Sequence, residues 1–349
     1  MGLNLIEIPL KTGPWNLSDL KDWPKHGLKV LSTFSCGGGS TMGYKLAGFD
    51  VIGAVEIDPE MASIYKKNHN PKHLYKMPIQ EFNKIPNEDL PKEFFELDIL
   101  DGSPPCSSFS MAGSREKKWG KAHHFREGQA KQNLDDLFFN YIETVDKLKP
   151  KVAVAENVKG LIQGNAKGYV KQIFKGFRDI GYSCQLFLLN SAFMGVPQKR
   201  ERTFFIANRL DKKIKLQFDE KTIPVRKISD GIDTIGEKLT TEYQVRQWRI
   251  CPAGSGADVK KGGFNSQKKI HPDEPALTQT GSQKHFHYLK PNMISDSLVI
   301  RIQSFPDDYR LLKQKSNYIC GMSVPPFMMQ RIALQIYKQL LVEPTKSAT

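Results

Sequence analysis

The stretch 29–56 constrains the fold of this chain strongly, because it alternates strand and helix signals around a glycine-rich loop. The apolar segment 29–34 (KVLSTF) predicts a strand, and the loop after it contains Cys36 and three glycines. A helix is predicted from about 41 to 47, and 49–56 (FDVIGAVE) predicts a second strand. Strands joined through a helix in this way are typical of a mostly parallel sheet, so the sequence predicts a doubly wound α/β fold.

The glycine-rich loop and Glu56 together indicate a small-molecule site. Glycines let the backbone approach a ligand closely, and an acidic residue at the end of the second strand is where such folds hold ribose hydroxyls. The loop does not match the GxGxxG pattern of dinucleotide-binding folds, so a smaller adenosine ligand fits as well. Without Glu56, a structural turn would be the better interpretation of the loop.

A second predicted strand end carries a cysteine. The stretch 97–110 (LDILDGSPPCSSFS) begins as an apolar strand and breaks at Gly102, because the prolines after it cannot continue a central strand. Cys106 therefore follows a stiff turn at the carboxyl end of a strand, where open α/β sheets place their chemistry. Taken alone, a small buried thiol in the core is an equally good interpretation.

A carboxylate stands at the end of another buried strand. Glu156 directly follows the apolar segment 151–155 (KVAVA), so it occupies the same kind of position as Cys106 and is a candidate acid. The alternative is a loop glutamate that caps a helix near Gly160.

Two arginines flank the start of the strand predicted at 203–207. Arg200 and Arg202 are two residues apart, so a strand would direct both side chains to one face, where they could grip an anion or a base edge. The alternative is a cluster of solvated charges.

Composition limits the class of protein and its partners. With 349 residues, two domains or one large domain with an appended lobe are expected, and a hydrophobic content of 39% is enough for a core. We see no membrane-spanning run and no signal peptide, so we expect a cytoplasmic protein without membrane association. Five scattered cysteines without CxxC pairs argue against a disulfide framework and against a metal site. The net charge of +14 favours a polyanionic partner.

The sequence divides into four predicted parts. Residues 1–28 form an N-terminal extension, and 29–208 form the α/β domain, which contains a long basic loop at 111–133. Helical patterning fades after that domain, so 209–320 are predicted to form a second, smaller, irregular β-rich domain. A C-terminal helix within 321–349 is expected to return to the first domain.

Several short motifs, taken in their order, resemble those of the cytosine-5 DNA methyltransferase family. The most specific are PPC at 104–106, ENV at 156–158 and QKRER at 198–202. Weaker ones are the glycine loop after Phe34, QSFPDDY at 303–309, and 321–326. The resemblance covers roughly 29–205 and 300–341, and the family carries its variable target-recognition region between such blocks.

The resemblance implies an enzyme that transfers a methyl group from S-adenosylmethionine to carbon 5 of cytosine in a specific double-stranded DNA sequence. Cys106 would add to carbon 6 of the ring, and Glu156 would hydrogen-bond or protonate ring nitrogen 3. Arg202 would hold the exocyclic oxygen, with Arg200 beside it near the phosphate or the thiolate. The cytosine must be flipped out, because carbon 6 cannot be reached inside a duplex. A Rossmann-like methyltransferase domain and a target-recognition domain are the implied architecture.

The resemblance also implies contacts to the cofactor and to DNA. The implied cofactor contacts are Phe34, Ser35, Gly37, Gly38, Gly39, Glu56, Ile57, Pro104, Ser323 and Val324. The predicted DNA contacts are Ser107, Ser110, Arg115, Lys117, Lys118, Gln198, Arg246 and Arg249, the last two on composition alone. A monomer is expected, and the usual role of such an enzyme is modification within a restriction-modification system, with a cognate restriction endonuclease encoded by a neighbouring gene.

Three positions depart from the family pattern. Cys36 stands where glycine is usual, Ser107 where glutamine follows the catalytic cysteine, and Met322 where asparagine is usual. The usual Gly-Asp pair that contacts the adenine amino group is not evident either. The nucleophile, the acid and the arginines are all retained, so activity is expected.

Two rival functions follow from the same residues. One branch of the family uses the same machinery on transfer RNA, but it lacks a large recognition region, and the segment 209–290 therefore favours DNA. A protein that binds nucleic acid without catalysis is the other rival, and an intact set of Cys106, Glu156 and Arg202 argues against it.

Overall fold

The computed structural model describes residues 6–105, 136–163, 167–256 and 267–342, together with the backbone of two short strands between 122 and 133. The strands in these parts are β1 (Lys29–Thr33), β2 (Asp50–Val55), β3 (His73–Tyr75), β4 (Ile99–Gly102), β5 (Ala122–His123), β6 (Gln132–Asn133), β7 (Val152–Val158), β8 (Ser183–Asn190), β9 (Gln198–Lys199), β10 (Glu201–Asn208), β11 (Ile235–Lys238), β12 (Ala276–Leu277) and β13 (Asn292–Ile294). The α-helices are α1 (Gly39–Leu46), α2 (Pro59–His69), α3 (Ile79–Lys84), α4 (Leu137–Leu148), α5 (Lys167–Asp179), α6 (Glu242–Ile250), α7 (Asp296–Ile302), α8 (Ser316–Met322) and α9 (Pro326–Ile336), the last followed by a π-helical turn (Tyr337–Leu341).

A seven-stranded sheet forms the centre of the fold, with the strand order β3-β2-β1-β4-β7-β10-β8. Neighbouring strands from β3 to β7 are parallel, whereas β10 runs antiparallel to both β7 and β8. This arrangement confirms the predicted doubly wound, mostly parallel α/β fold.

Both faces of the sheet are buried, which explains why its central strands are continuously apolar. Along β7, Val152 and Val154 join one hydrophobic cluster, whereas Ala153 and Ala155 join the other. Successive residues of a strand point to opposite faces, so a strand covered on both sides needs apolar residues at every position.

Helices from distant parts of the chain cover one face. Helix α9 packs so closely on α1 that a Cβ atom on Gly43 would lie 2.4 Å from Met329 Cβ and 2.6 Å from the Pro326 carbonyl oxygen. Glycine is therefore needed at this helix crossing. Helices α3, α4 and α5 supply the second cluster on the opposite face.

The carboxyl ends of the parallel strands meet at one edge of the sheet. The register pairs Thr33 of β1 with Gly102 of β4, and Gly102 with Ala155 of β7. A Cβ on Gly102 would lie 2.6 Å from the Tyr141 ring, so only glycine fits here. Because β10 is reversed, its first residues come to this same edge, and Arg202 pairs with Val158 in the register.

The N-terminal segment packs against the C-terminal part of the chain. The indole Nε1 of Trp15, a buried residue, donates to the Ser304 carbonyl at 3.0 Å. The side-chain amide of Gln330 donates to the Pro9 carbonyl at 2.9 Å. These contacts fix the segment on the surface formed by α9 and the residues before it.

The described part of 209–320 is irregular, and the predicted β-rich character of a second domain is not confirmed. Its strands β11, β12 and β13 contain fewer residues than its helices α6 and α7. Strand β12 pairs with β9, and Ile228, Ile270 and Ile294 join the hydrophobic cluster on one face of the main sheet. Contacts with the sheet therefore order this segment more than strand pairing within it does. The predicted domain boundaries stay predictions.

A buried carboxyl group lies beneath the edge where the strands end. Asp101 of β4 accepts hydrogen bonds from Ser32 Oγ at 3.0 Å and from Tyr44 Oη at 3.2 Å. Burial raises its pKa from 3.8 to about 7. A raised pKa means that this group's stabilising contribution is complete below about pH 4 and is lost as the pH rises to about 7. The loss is on the order of 4 kcal/mol.

The substitution Asp101→Asn should therefore flatten the pH dependence of stability. An amide can still accept from Ser32 and donate to Tyr44, but it cannot ionise. We expect similar free energies of unfolding for the two proteins in urea at pH 4.5, and a more stable variant at pH 8. The control Asp50→Asn removes a carboxylate that is 43% exposed, and it should leave the pH dependence unchanged. Parallel pH profiles for wild type and Asp101→Asn would contradict the assignment.

Candidate active site

An ion pair occupies the edge of the sheet where β7 ends and β10 begins. Arg202 Nε lies 2.9 Å from Glu156 Oε1, and the two side chains are only 14% and 13% exposed. Burial lowers the pKa of Arg202 from its usual value, and the Glu156 carboxylate opposes that shift. The structure thus brings together two of the predicted catalytic residues, as a carboxyl group that can carry a proton and a guanidinium that can donate to a carbonyl oxygen.

The turn that leads towards Cys106 is attached to the same strand end. Asn157, which is buried, donates from Nδ2 to the Pro104 carbonyl at 3.0 Å, and its Oδ1 accepts from the backbone N–H of Val158. Sequence reasoning quoted Asn157 only as part of a motif and assigned it no role. A buried amide directly after an apolar strand was the available signal, because buried polar groups need partners.

The glycine-rich loop between β1 and α1 has unusual backbone geometry. Phe34, Cys36 and Gly38 all have positive φ values, of 52°, 45° and 82°. Such values favour glycine, so a side chain at position 36 is held in a strained conformation. The backbone N–H of Cys36 donates to Glu56 at 2.7 Å, which helps to hold this turn.

The glycines of this loop are required by neighbouring protein atoms. A Cβ on Gly38 would lie 2.1 Å from His69 Nε2, and one on Gly39 would lie 2.2 Å from the Val324 carbonyl oxygen. A Cβ on Gly37 would meet Ile319 at 2.6 Å. These protein contacts account for the three glycines. The close approach of a ligand to the backbone, which the sequence pattern suggested, is therefore not needed to explain them.

Glu56 lies at the end of β2 and faces the loop. Its two carboxylate oxygens accept from the backbone N–H groups of Cys36 at 2.7 Å and Asp58 at 2.8 Å. Burial raises its pKa from 4.5 to about 7. The adjacent Ile57 is half-buried. Glu56 thus fixes the loop geometry.

Two buried hydroxyl groups near this loop have no strong hydrogen-bond partner. In the described part of the chain Ser35 Oγ has none, and Ser323 Oγ interacts only weakly, with the thiol of Cys36. Ser323 lies against the loop, since its Cβ is 2.9 Å from the position of a Cβ on Gly39. A buried hydroxyl without a strong partner is costly, so these atoms fit a polar ligand held between 34–39 and 323–324.

Gln198 was predicted to contact DNA, but the structure buries its side chain. The side chain is fully buried, its Nε2 donates to Gln303 Oε1 at 2.7 Å, and its Oε1 accepts from the Gln279 N–H at 3.0 Å. Gln198 therefore joins protein segments to one another and has no face left for a ligand.

Arg200 is also buried, and its guanidinium binds backbone carbonyls. Its two terminal nitrogens donate to the carbonyl oxygens of Gln279 at 3.1 Å, Gly321 at 2.9 Å and Ser323 at 3.1 Å. The side chain is only 2% exposed. The two terminal nitrogens of Arg200 thus have protein partners, whereas its buried Nε has none in the described part of the chain. The predicted joint grip of Arg200 and Arg202 on one anion stays a prediction.

The predicted DNA contacts fall into two groups. Arg246 and Arg249 are exposed on α6, one turn apart. Trp248 between them anchors this helix, since its Nε1 donates to the His287 carbonyl at 2.7 Å and Lys269 Nζ lies 4.4 Å from its ring centroid. The other predicted residues lie outside the described part of the chain: Cys106, Ser107, Ser110, Arg115, Lys117 and Lys118.

Within the described ranges, no cluster of His, Cys, Asp and Glu has the composition of a metal site. No helix in those ranges is long and apolar enough to span a membrane.

Comparisons with known proteins agree with the motifs. Residues 28–252 match the family model of C-5 cytosine-specific DNA methylases. The chain is 32% identical over 359 residues to Type II methyltransferase M.FnuDI of Fusobacterium nucleatum, covering 91% of this chain and 96% of that protein. It is 28% identical over 356 residues to Type II methyltransferase M.NgoPII of Neisseria gonorrhoeae, covering 90% and 96%.

Solved structures share the fold. A DNA modification methyltransferase encoded within an E. coli prophage superposes with a TM-score of 0.72 at 20% identity, over 90% of this chain and all of that one. Dnmt2 methyltransferase of S. pombe gives a TM-score of 0.62 at 16% identity, over 89% and 98%. The resemblance inferred from the motifs is confirmed: the chain belongs to the C-5 cytosine-specific DNA methylase family and is a DNA cytosine-5 methyltransferase.

Proposed function

We propose that this methyltransferase takes its methyl group from S-adenosylmethionine and acts on a flipped-out cytosine in a specific double-stranded DNA sequence, through a covalent bond to Cys106. The observation that carries the proposal is the Glu156–Arg202 pair, 2.9 Å apart. It lies beside the turn that precedes Cys106, which Asn157 holds through Pro104.

The proposed reaction begins at carbon 6 of the ring, because carbon 5 of cytosine is a poor nucleophile. The Cys106 thiolate forms a bond to carbon 6, and the ring electrons shift through carbon 5 to ring nitrogen 3, which takes a proton from Glu156 and leaves an enamine. Glu156 would take up that proton from solvent before the base is bound. Carbon 5 then takes the methyl group. Loss of the carbon-5 proton to solvent restores the ring double bond, expels the thiolate and returns the nitrogen-3 proton to Glu156.

Arg202 has a different part in the proposed reaction. Its guanidinium has donors beyond the Nε–H that faces Glu156, and one of them would bind the exocyclic oxygen of the cytosine. The positive charge also favours the thiolate form of Cys106, since a free thiol is only a few per cent ionised near neutral pH.

The methyl donor fits the loop between β1 and α1. S-adenosylmethionine supplies a methyl group on a positively charged sulfur, which leaves as a neutral thioether. The buried hydroxyls of Ser35 and Ser323 and the carboxyl of Glu56 would bind its polar groups. Phe34 would stack on the adenine. Ile57, Pro104, Val324 and the glycines 37–39 would form the walls of the site.

The position of the ion pair supports base flipping. Glu156 and Arg202 are recessed, with about one-seventh of each side chain exposed, so they cannot reach a base that is stacked inside a duplex. Arg115, Lys117 and Lys118, with Ser107 and Ser110, would close over the DNA. Exposed Arg246 and Arg249 on α6 would contact it from the segment 209–320.

The biological role proposed is modification within a restriction-modification system. Several relatives are named Type II methyltransferases, and they match most of this chain. The enzyme would act as a monomer in the cytoplasm, and a cognate restriction endonuclease would not need to bind it. A change at Cys36 or Met322 relative to the family pattern concerns the donor site and leaves the ion pair intact.

Methyl transfer should depend on Cys106 and should prefer DNA. We expect label from S-adenosylmethionine to enter double-stranded DNA with the wild type and not with Cys106→Ser, because the hydroxyl is a far weaker nucleophile. Duplexes with 5-fluorocytosine should form a stable adduct with the wild type only, since the fluorine cannot leave as a proton does. Incorporation only into transfer RNA would favour the RNA rival, and donor binding without any transfer would indicate a binding protein.

The substitution Glu156→Gln should slow methyl transfer by about 100- to 10,000-fold at saturating substrates, because an amide cannot donate a proton to ring nitrogen 3. Its side-chain oxygen can still accept from Arg202, so DNA binding should persist. The matched control is Glu201→Gln, which breaks the partly exposed pair with Lys159 at 2.8 Å and should leave turnover within about twofold. Equal rates for Glu156→Gln and the wild type would exclude the proposed acid.

A further inference from the structure

Arg200 lies where three distant segments of the chain meet. On one side are β12 and the residues after it, and on another are the end of α8 and the loop that follows it. The backbone of Arg200 itself connects β9 to β10. Its donors bind one carbonyl of the first segment, Gln279, and two of the second, Gly321 and Ser323. A guanidinium presents its donors in one rigid plane, so the three carbonyls are fixed relative to one another.

The second segment forms a wall of the proposed donor site. Ser323 and the Val324 carbonyl pack on the loop between β1 and α1, with no room for any side chain at Gly39. Ser323 also has its carbonyl oxygen held by Gln303 Nε2 at 2.7 Å. Donors on both Arg200 and Gln303 therefore fix the backbone that carries the Ser323 hydroxyl, a buried group without a strong hydrogen-bond partner.

Arg200 is poorly placed for the anionic partners that a surface arginine would bind. It is almost completely buried, and its terminal nitrogens face carbonyl oxygens. Arg202, two residues later, instead faces a carboxylate at the recessed edge of the sheet. Arg202 is thus assigned to the cytosine base, whereas Arg200 binds carbonyl groups of the protein backbone.

We infer that Arg200 is a positioning residue for the methyl donor. It holds 321–323 against the glycine loop and so sets the affinity of the enzyme for S-adenosylmethionine, although it lies only two residues before Arg202. This inference rests on the proposed donor site. It assigns to Arg200 no contact with the cytosine, the phosphate or the thiolate.

The test compares the same substitution at two positions. Arg200→Lys keeps the charge but loses the planar set of donors, so the dissociation constant for S-adenosylmethionine should rise about 10- to 100-fold, measured by calorimetry without DNA. Methyl transfer to unmethylated genomic DNA should recover most of its kcat at saturating donor. Arg202→Lys should show the reverse, with donor affinity unchanged and kcat strongly reduced.

A second variant tests the inference independently, in case the first variant misfolds. Gln303→Met removes the other donor to the Ser323 carbonyl, and it too should weaken donor binding, while thermal unfolding of both variants shows whether they are folded. Unchanged donor affinity in folded Arg200→Lys or in folded Gln303→Met would overturn the inference. A wild type that does not bind S-adenosylmethionine would instead overturn the proposed donor, which separates the two failures.

Discussion

Burial of the central strands on both faces is the constraint on which the rest of the structure depends. Strand β7 is apolar from Val152 to Ala155, and these residues alternate between the two hydrophobic clusters, so each face of the sheet needs its own cover. One cover is built from α1 and α9, which lie at opposite ends of the chain. The central strands therefore meet solvent chiefly where the parallel strands end, and the Glu156–Arg202 pair lies at that edge.

The sheet and the Glu156–Arg202 pair were predictable because both follow from local patterns. Apolar runs that end in a charged residue mark strand ends, and parallel strands bring those ends to one edge. The burial of Gln198 and Arg200 was not predicted, because their partners come from remote parts of the chain. Gln198 binds a residue 105 positions away, and Arg200 binds one 123 positions away. No sequence pattern near either residue shows whether its side chain is buried and bonded to other protein segments or exposed to a ligand.

The glycine loop shows a second limit of sequence reasoning. A run of glycines indicates that something approaches the backbone closely, but it does not say what. Here the approaching atoms are His69 Nε2, Ile319 and the Val324 carbonyl, which come from α2, α8 and the loop after α8. A nearby ligand and a nearby protein segment would both require glycine in this loop, so only the structure distinguishes the two causes. The buried hydroxyls of Ser35 and Ser323 are the better evidence for a ligand.

The charges at the sheet edge explain why two arginines are placed so close together. Glu156 balances one positive charge, and Arg200 adds a second whose partners are neutral carbonyls, so the region keeps an excess of positive charge. Asp101 lies beneath the same edge, but its pKa of about 7 keeps it largely neutral below that pH. An uncompensated positive charge in a poorly solvated recess favours anions, which are the thiolate and the DNA backbone in the proposed reaction.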